Sequence, residues 1–555
     1  MKAAPERMII PSVGVRGGLQ MTRFQAARNA VEAFFDAPPR ADDAATAGQA
    51  VPTPFKRVFL GLMVALVIYV IVRGVVAAAT KPFWYDELIT LNLSLLPSMK
   101  QTFGALARAL DSPAPGFYVV QRNVVGLLQN KQIALRLASI FAFPCTLICV
   151  FAYAKKRSGE LIAFLCAFLL LSTILFERYA VEARPYSLVM ACFAFALVCY
   201  QRVPSPLWTA LLALILALAQ TFHYYSVFAM VPFGLAEAVF FLRTHKLRWR
   251  VWLALALGAL PLAFFWPLLA NIRTVFGAHF FQRFALTSLP ATYGALFLTD
   301  SAFGAAVVAV SIAGIIGSRL LSRPNTPSSP KISDENAVEG TLLLSFVLLP
   351  FIVFFIVRVM HGGFRDAYVL TTVLGIVLAL AGALSLARPR VVAVFALFVI
   401  TSVGIREFIF WRANHSLRLA SPAAALGDFV QKSGYGDLPV VVSSGMAYTP
   451  LAHYASPAFF KQLFYLMDEE KELQYQGSDS FDKDIVLLRD YMPLQVRDFS
   501  EFTAAHPVFL VYGEEPGDGF NWLPQHLSRV ASVRTVAVEP SRKLYLVTMN
   551  AEPSR

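Results

Sequence analysis

Long apolar runs separated by short charged segments set the pattern of this chain. Runs of helix length lie near 58–79, 133–154, 160–176, 186–201, 207–222, 225–242, 251–269, 301–320, 341–358, 367–386 and 391–410. A helix needs roughly 20 apolar residues to cross the hydrocarbon core, and every backbone group must be bonded within it. The pattern predicts an all-α polytopic membrane protein with about 11 transmembrane helices. One more apolar stretch, "APGFYVVQRNVVGLLQ" at 114–129, carries Arg122 and Asn123 at its centre. A charge at mid-bilayer costs at least about 2.5–3.5 kcal/mol, so this stretch is expected in a loop, as an amphipathic helix at the interface.

From about Ala420 the pattern changes to that of a soluble α/β domain. "LPVVVSS" (438–444), "PVFLVYGE" (507–514), "RTVAVEP" (534–540) and "KLYLVTM" (543–549) read as strands, and "DKDIVLLRDYM" (482–492) as helical. The expected organisation is a cytoplasmic, largely disordered tail over 1–57, a transmembrane domain over 58–414 and an extracytoplasmic α/β domain over 415–555. The transmembrane domain would contain an outer loop at 80–132 and a Pro- and Ser-rich cytoplasmic linker at 321–340.

Composition agrees with the pattern: 57% of residues are hydrophobic, 15% are charged and the mean hydropathy is +0.59, outside the range of soluble globular proteins. The five cysteines, Cys145, Cys149, Cys166, Cys192 and Cys199, fall in or beside apolar runs, as helix-packing residues rather than a disulfide framework. The net charge of +13 does not indicate nucleic acid, because the basic residues concentrate in short connections between apolar runs. "KKRSGE" (155–160), "RTHKLRWR" (243–250) and "ARPR" (387–390) are such connections, and the positive-inside rule makes them cytoplasmic, with the N-terminus on the same side. The 1–57 segment lacks an apolar run with a cleavage site and does not resemble a secretory signal.

The opposite loops hold the candidate chemistry. "KPFWYDELITLNL" puts Asp86 and Glu87 at the outer end of the first span, beside Trp84 and Tyr85. "DSPAPGFY" (111–118) adds Asp111 to a turn stiffened by Pro113 and Pro115. "ERYAVEARPYSL" (177–188) brings Glu177, Arg178, Glu182 and Arg184 within eight residues, and "HGGFRDAYVL" (361–370) brings Arg365. Each alone is an ordinary loop: an acid pair facing water, a turn, a salt bridge, an interfacial arginine. Together they put acids and arginines on one membrane face, where carboxylates suit a general base or a metal and guanidiniums suit phosphate. A phosphorylated lipid would supply that phosphate at headgroup depth.

"WYDE" after the first span, the proline-rich turn, "ALRLAS" (134–139), "EARPYSL" and "HYYS" (223–226) resemble the GT-C type membrane glycosyltransferases. The pattern is similar to the bacterial branch akin to protein O-mannosyltransferases and lipid A aminoarabinose transferases. The resemblance covers about 58–410 and is strongest before 230. It implies a cell-membrane enzyme that moves a sugar from a polyprenyl-phosphate carrier to a lipid, glycan or protein acceptor on the outer face, with inversion, amid membrane lipid and without nucleic acid. It would make Asp86 the general base, with Glu87 supporting it or the acceptor. Arg184, Arg136 and Arg365 would meet the phosphate, and Glu182, Asp111, His223 and Tyr186 would complete the substrate site. Relatives commonly carry a histidine and two prolines where this chain has Ser112, Pro113, Ala114 and Pro115. A divalent metal is compatible with the family but not universal in it, and no metal ligand is assigned.

The residues by themselves also admit a transporter or flippase for a lipid-linked substrate, a ligase or polymerase moving a whole glycan, or a non-catalytic scaffold. A transporter wants its charge at mid-membrane, whereas here it clusters at one interface.

Overall fold

A computed structural model describes residues 53–277, 279, 285–320, 334–360, 363–419, 421–514 and 521–550. Of the expected tail at 1–57, residues 1–52, and of the expected linker at 321–340, residues 321–333, lie outside the described residues, as do His361 and Gly362; the remaining residues of both, 53–57 and 334–340, are helical. Gly61–Arg555 forms one compact unit, which holds the helical bundle after the first turns of its first helix, the α/β region and the site.

Among the described residues, four helices are long and apolar enough to cross a membrane: Arg57–Thr80, Lys131–Ser172, Tyr224–Thr244 and Pro389–Ala413. The count reaches seven if each of three bent pairs is one span: Trp249–Phe264 with Trp266–Phe276 (53°), Leu286–Leu296 with Ser301–Gly317 (82°), and Asp334–Val347 with Leu349–Met360 (61°). The expectation of about 11 is therefore corrected downward. Three expected spans form helices of only 15, 17 and 15 residues: Tyr186–Tyr200, Pro206–Phe222 and Thr372–Leu386. At about 1.5 Å per residue they fall short of a hydrocarbon core of about 30 Å. The expected spans at 133–154 and 160–176 belong to one helical run, broken at Gly159, where φ is 74° and ψ 174°. Only glycine adopts that conformation cheaply.

Between the first and second spans the chain forms three short helices, Tyr85–Leu95, Met99–Ala107 and Pro115–Val125. The last is the stretch expected at the interface, and its 11 residues cannot span. Arg122 Nη1 donates to the carbonyls of Leu96 (2.6 Å) and Ser94 (3.3 Å), tying off the end of the Tyr85–Leu95 helix. The proline-rich turn sits against the end of the Pro206–Phe222 helix, with the Ala114 N–H donating to the Phe222 carbonyl at 3.2 Å. Gly116 is required there: a Cβ on it would lie 2.6 Å from Thr221 Cβ and 2.7 Å from the Thr221 carbonyl oxygen. Gly116→Ala is expected to cost about 1–3 kcal/mol through this overpacking, read as a lower thermal midpoint of the detergent-solubilised protein. An unchanged midpoint would show that the turn does not seat so closely.

The C-terminal region is α/β, as expected, with a sheet of six strands rather than the four read from the sequence. Its order is β3-β2-β1-β4-β6-β5, with β1 Val440–Val442, β2 Leu463–Met467, β3 Val496–Asp498, β4 Val508–Glu514, β5 Ala531–Glu539 and β6 Arg542–Met549. β1 to β4 pair in parallel, while β6 runs antiparallel to β4 and to β5. The two unforeseen strands, β2 and β3, have only 5 and 3 residues, too few to show a period. Val441, Leu466, Phe502, Phe509, Val511 and Trp522 form the core of the region.

Between β2 and β3 the Ser480–Leu488 helix is fixed at its start by two acids. Glu472 accepts the N–H groups of Phe481 (3.2 Å) and Asp482 (3.1 Å), and Asp482 accepts from the Tyr465 hydroxyl (2.6 Å) and the Asp468 N–H (2.7 Å). The first-turn N–H groups of Phe481 and Asp482 have no partner within the helix, so the Glu472 carboxylate satisfies them, while Asp482 ties the helix to Tyr465 and Asp468. This helix presents its outer side to the short helices that follow the first span.

Candidate functional site

Successive residues of a helix point about 100° apart, so the acid pair at the start of the Tyr85–Leu95 helix divides its labour. Glu87 turns inward and is fully buried. Its carboxylate accepts from Arg136 Nε (2.7 Å) and Nη2 (2.6 Å) and from the Ala183 N–H (2.8 Å). Burial alone would raise the Glu87 pKa, but the Arg136 guanidinium overrides it and holds the carboxyl below the usual range. Arg136, also without exposure, donates further to the carbonyls of Ala78 (2.9 Å), Lys81 (2.7 Å) and Pro82 (3.1 Å). Its five N–H donors are thereby spent inside the protein. Arg136 clamps the turn between the first span and the helix that carries Asp86.

Asp86 keeps 16% of its side chain exposed and lies 3.7 Å from Arg184 Nη2. Arg184 is buried and gripped by Asp111 in the two-pronged manner that suits a guanidinium, at 2.8 Å (Nη1) and 3.0 Å (Nη2). Its Nη1 also reaches the Asp86 carbonyl and the Thr90 hydroxyl, both at 3.3 Å, whereas Nε has no hydrogen-bond partner among the described residues. Burial opposes the Arg184 charge, yet the carboxylates of Asp111 and Asp86 more than offset it and hold the proton tightly. Asp111 also accepts the Tyr118 hydroxyl. Burial first, and that carboxylate second, push the phenol well above its ordinary range.

Glu182 does not meet Arg184. Its buried carboxylate accepts from Arg178 Nε (2.9 Å) and Lys81 Nζ (3.4 Å), and burial raises its pKa against both cations. His223 closes the Pro206–Phe222 helix; its Nδ1 accepts the Tyr225 N–H at 3.1 Å, so a neutral ring carries its proton on Nε2. That Nε2 is buried and unpartnered among the described residues, in a small cavity lined by Tyr186, Tyr225, Tyr368 and Thr371. The Tyr186 and Tyr368 rings stand 5.6 Å and 5.3 Å from the imidazole. Arg365, half-buried, opens the Asp366–Val369 turn that carries Tyr368. Asp86 and Tyr186 are close enough to strengthen its charge electrostatically, against the burial that weakens it.

Sequence reasoning missed Asp484, which belongs to the C-terminal region. It accepts the hydroxyl of Tyr85, the residue next to Asp86. The signal available was an acid on the apolar side of the "FDKDIVLL" helix, one turn after Phe481. Among the described residues no group of three or more His, Cys, Asp or Glu side chains is arranged to hold a metal ion, and no metal is assigned a role.

No protein-family model matches the chain, and no curated protein does. Among solved structures the chain is similar to ArnT from Cupriavidus metallidurans in the apo state, at 14% identity and a TM-score of 0.41 over 88% of this chain and 98% of that one. The same protein bound to undecaprenyl phosphate gives 14% identity and a TM-score of 0.38 over 88% and 97%. The Archaeoglobus fulgidus oligosaccharyltransferase in complex with Zn and sulfate gives 12% identity and a TM-score of 0.36 over 62% of this chain and 54% of that one. At these identities and scores the likeness assigns neither activity nor residues to this chain.

Proposed function

We propose that the chain is an inverting glycosyltransferase of GT-C type, moving a sugar from a polyprenyl-phosphate carrier to a hydroxyl acceptor at the extracytoplasmic face. The observation that carries the reading is the partly exposed carboxylate of Asp86 beside the buried, charged guanidinium of Arg184, whose Nε has no hydrogen-bond partner among the described residues. Asp86 takes the acceptor's hydroxyl proton as its oxygen bonds the anomeric carbon from the face opposite the phosphate. The bond from that carbon to the phosphate oxygen breaks, and the electron pair leaves with the lipid phosphate. Charge grows on the phosphate as it departs, so cations fixed beforehand stabilise the transition state more than the ground state.

Arg184 and Arg365 are the phosphate ligands in this reading, and Asp111 holds Arg184 in place. Arg136 has no donor to spare for a phosphate, so it and Glu87 act through the Asp86 helix. His223 Nε2–H, with Tyr186 beside it, donates to sugar or phosphate oxygen; Glu182 keeps Arg178 and Lys81 at the rim. The helical part over 58–414 would then be the catalytic domain, and 415–555 a domain on the same face.

Membranes containing the full chain should transfer label from one of a panel of radiolabelled polyprenyl-phosphate sugars to an endogenous lipid, glycan or protein acceptor. The product should have the opposite anomeric configuration to the donor. Label that crosses the bilayer without changing its covalent partner would replace this reading by the transporter.

A further inference from the structure

The Asp86 helix is held from above by the C-terminal region. Tyr85, 4% exposed, donates its hydroxyl to Asp484 and lies edge-on to Phe481, with centroids 6.2 Å apart at 62°. Phe481 and Asp484 are three residues apart and so share one side of the Ser480–Leu488 helix. Further contacts seat the region there: the Phe83 N–H donates to the Tyr454 hydroxyl at 2.8 Å, and Arg108 pairs with Asp490 at 2.9 Å. Asp484 is half-buried and stands within electrostatic reach of Asp86, Asp111 and Arg184. The neighbouring charges on its own helix are already engaged, Asp482 by Tyr465 and Lys483 by Asp479.

We propose that Asp484 is a positioning residue of the transfer site: through the Tyr85 hydroxyl it fixes the first turn of the helix that carries Asp86, and its carboxylate adjusts the charge Asp86 meets. This rests on Asp86 being the base. The C-terminal region is in this view part of the site, because the helix bearing Asp86 is tethered at one end by Arg136 and at the other side by Asp484. A second consequence follows from charge. Burial raises the Asp484 carboxyl to about 7; the Tyr85 hydrogen bond and Arg184 oppose the rise, and Asp111 and Asp86 add to it. Below that pH the group is neutral. Above it, a further negative charge stands near Asp86 and strengthens its hold on the acceptor's proton, so transfer should climb through an inflection near neutrality.

Three variants of the full chain separate the two effects. Asp484→Ala and Tyr85→Phe remove the hydrogen bond; Asp484→Asn keeps an acceptor for Tyr85 but cannot ionise. Amide hydrogen exchange over the Tyr85–Leu95 helix should quicken in Ala and Phe and stay near wild type in Asn. Transfer should fall at least about tenfold in kcat in Ala and Phe, with the KM for the polyprenyl-phosphate donor little changed, and Asn should recover most of it while losing the inflection near neutrality. Exchange in Asp484→Ala equal to wild type overturns the proposal whatever transfer does. Quickened exchange with undiminished transfer overturns the link to the site. Because exchange is read without the reaction, full activity of Asp86→Asn would sink the role of the base and leave the grip of Asp484 on the helix to stand by its own readout.

Discussion

Asp86→Asn is expected to lower sugar transfer by a factor of about 10²–10⁴, the range over which a positioned general base contributes. Asparagine has nearly the same shape and can still accept from neighbouring donors, but it cannot take a proton at neutral pH. The substitution should leave the fold alone, since Arg184 stays paired with Asp111 through two bonds at 2.8 and 3.0 Å and approaches the Asp86 carboxylate only at 3.7 Å. The loss should therefore appear in kcat at equal protein level and equal thermal midpoint, with donor binding nearly intact. Asp111→Asn makes the contrast: Asp111 is almost fully buried and bound to Arg184 and Tyr118, so its loss should loosen Arg184 and raise the KM for the donor as well. Undiminished transfer by Asp86→Asn would remove Asp86 from the mechanism.

The sequence marked the loops that meet, but not who pairs with whom. "WYDE", "DSPAPGFY" and "EARPYSL" were legible as one cluster because acids and arginines recurred on one side of the predicted membrane. That Arg184 takes Asp111 and Arg136 takes Glu87 was not, because partners 73 and 49 residues apart are selected by packing, not spacing. The expectation that Arg136 meets a phosphate took no account of the carbonyls that end the first span, which its N–H groups bond. The span count failed for a related reason: apolar content reports that a helix is buried in oil or protein, but not whether it is long enough, or straight enough, to cross. Asp484 lay hidden because an acid on the apolar side of a short helix looks like noise until its partner, in a separate region of the chain, is known.

Removing the partner of Glu87 should be the most destabilising change in the site. Arg136→Leu leaves a buried carboxylate with no guanidinium and three carbonyls, of Ala78, Lys81 and Pro82, without their donor. Breaking a buried pair from one side costs about 3–5 kcal/mol, because the remaining charge keeps its desolvation penalty and loses its compensation. Glu87→Leu should cost a similar amount, while the Ala183 N–H loses its acceptor. The double variant Glu87→Leu with Arg136→Leu should be more stable than the sum of the singles predicts, since no charge remains buried. Thermal unfolding of the detergent-solubilised chain measures this cycle, and additive losses would show that the two groups do not act as a pair. Activity should not recover with stability. The leucines can fill the space but cannot bind the carbonyls that end the first span, so the turn into the Tyr85–Leu95 helix would lose the constraint that aims Asp86 at Arg184. A double variant that regains both stability and transfer would make the pair a mere filler of the interior. Regained stability without transfer would show that a buried ion pair, dispensable for holding the chain together, serves to set the direction of the Asp86 carboxylate beside it.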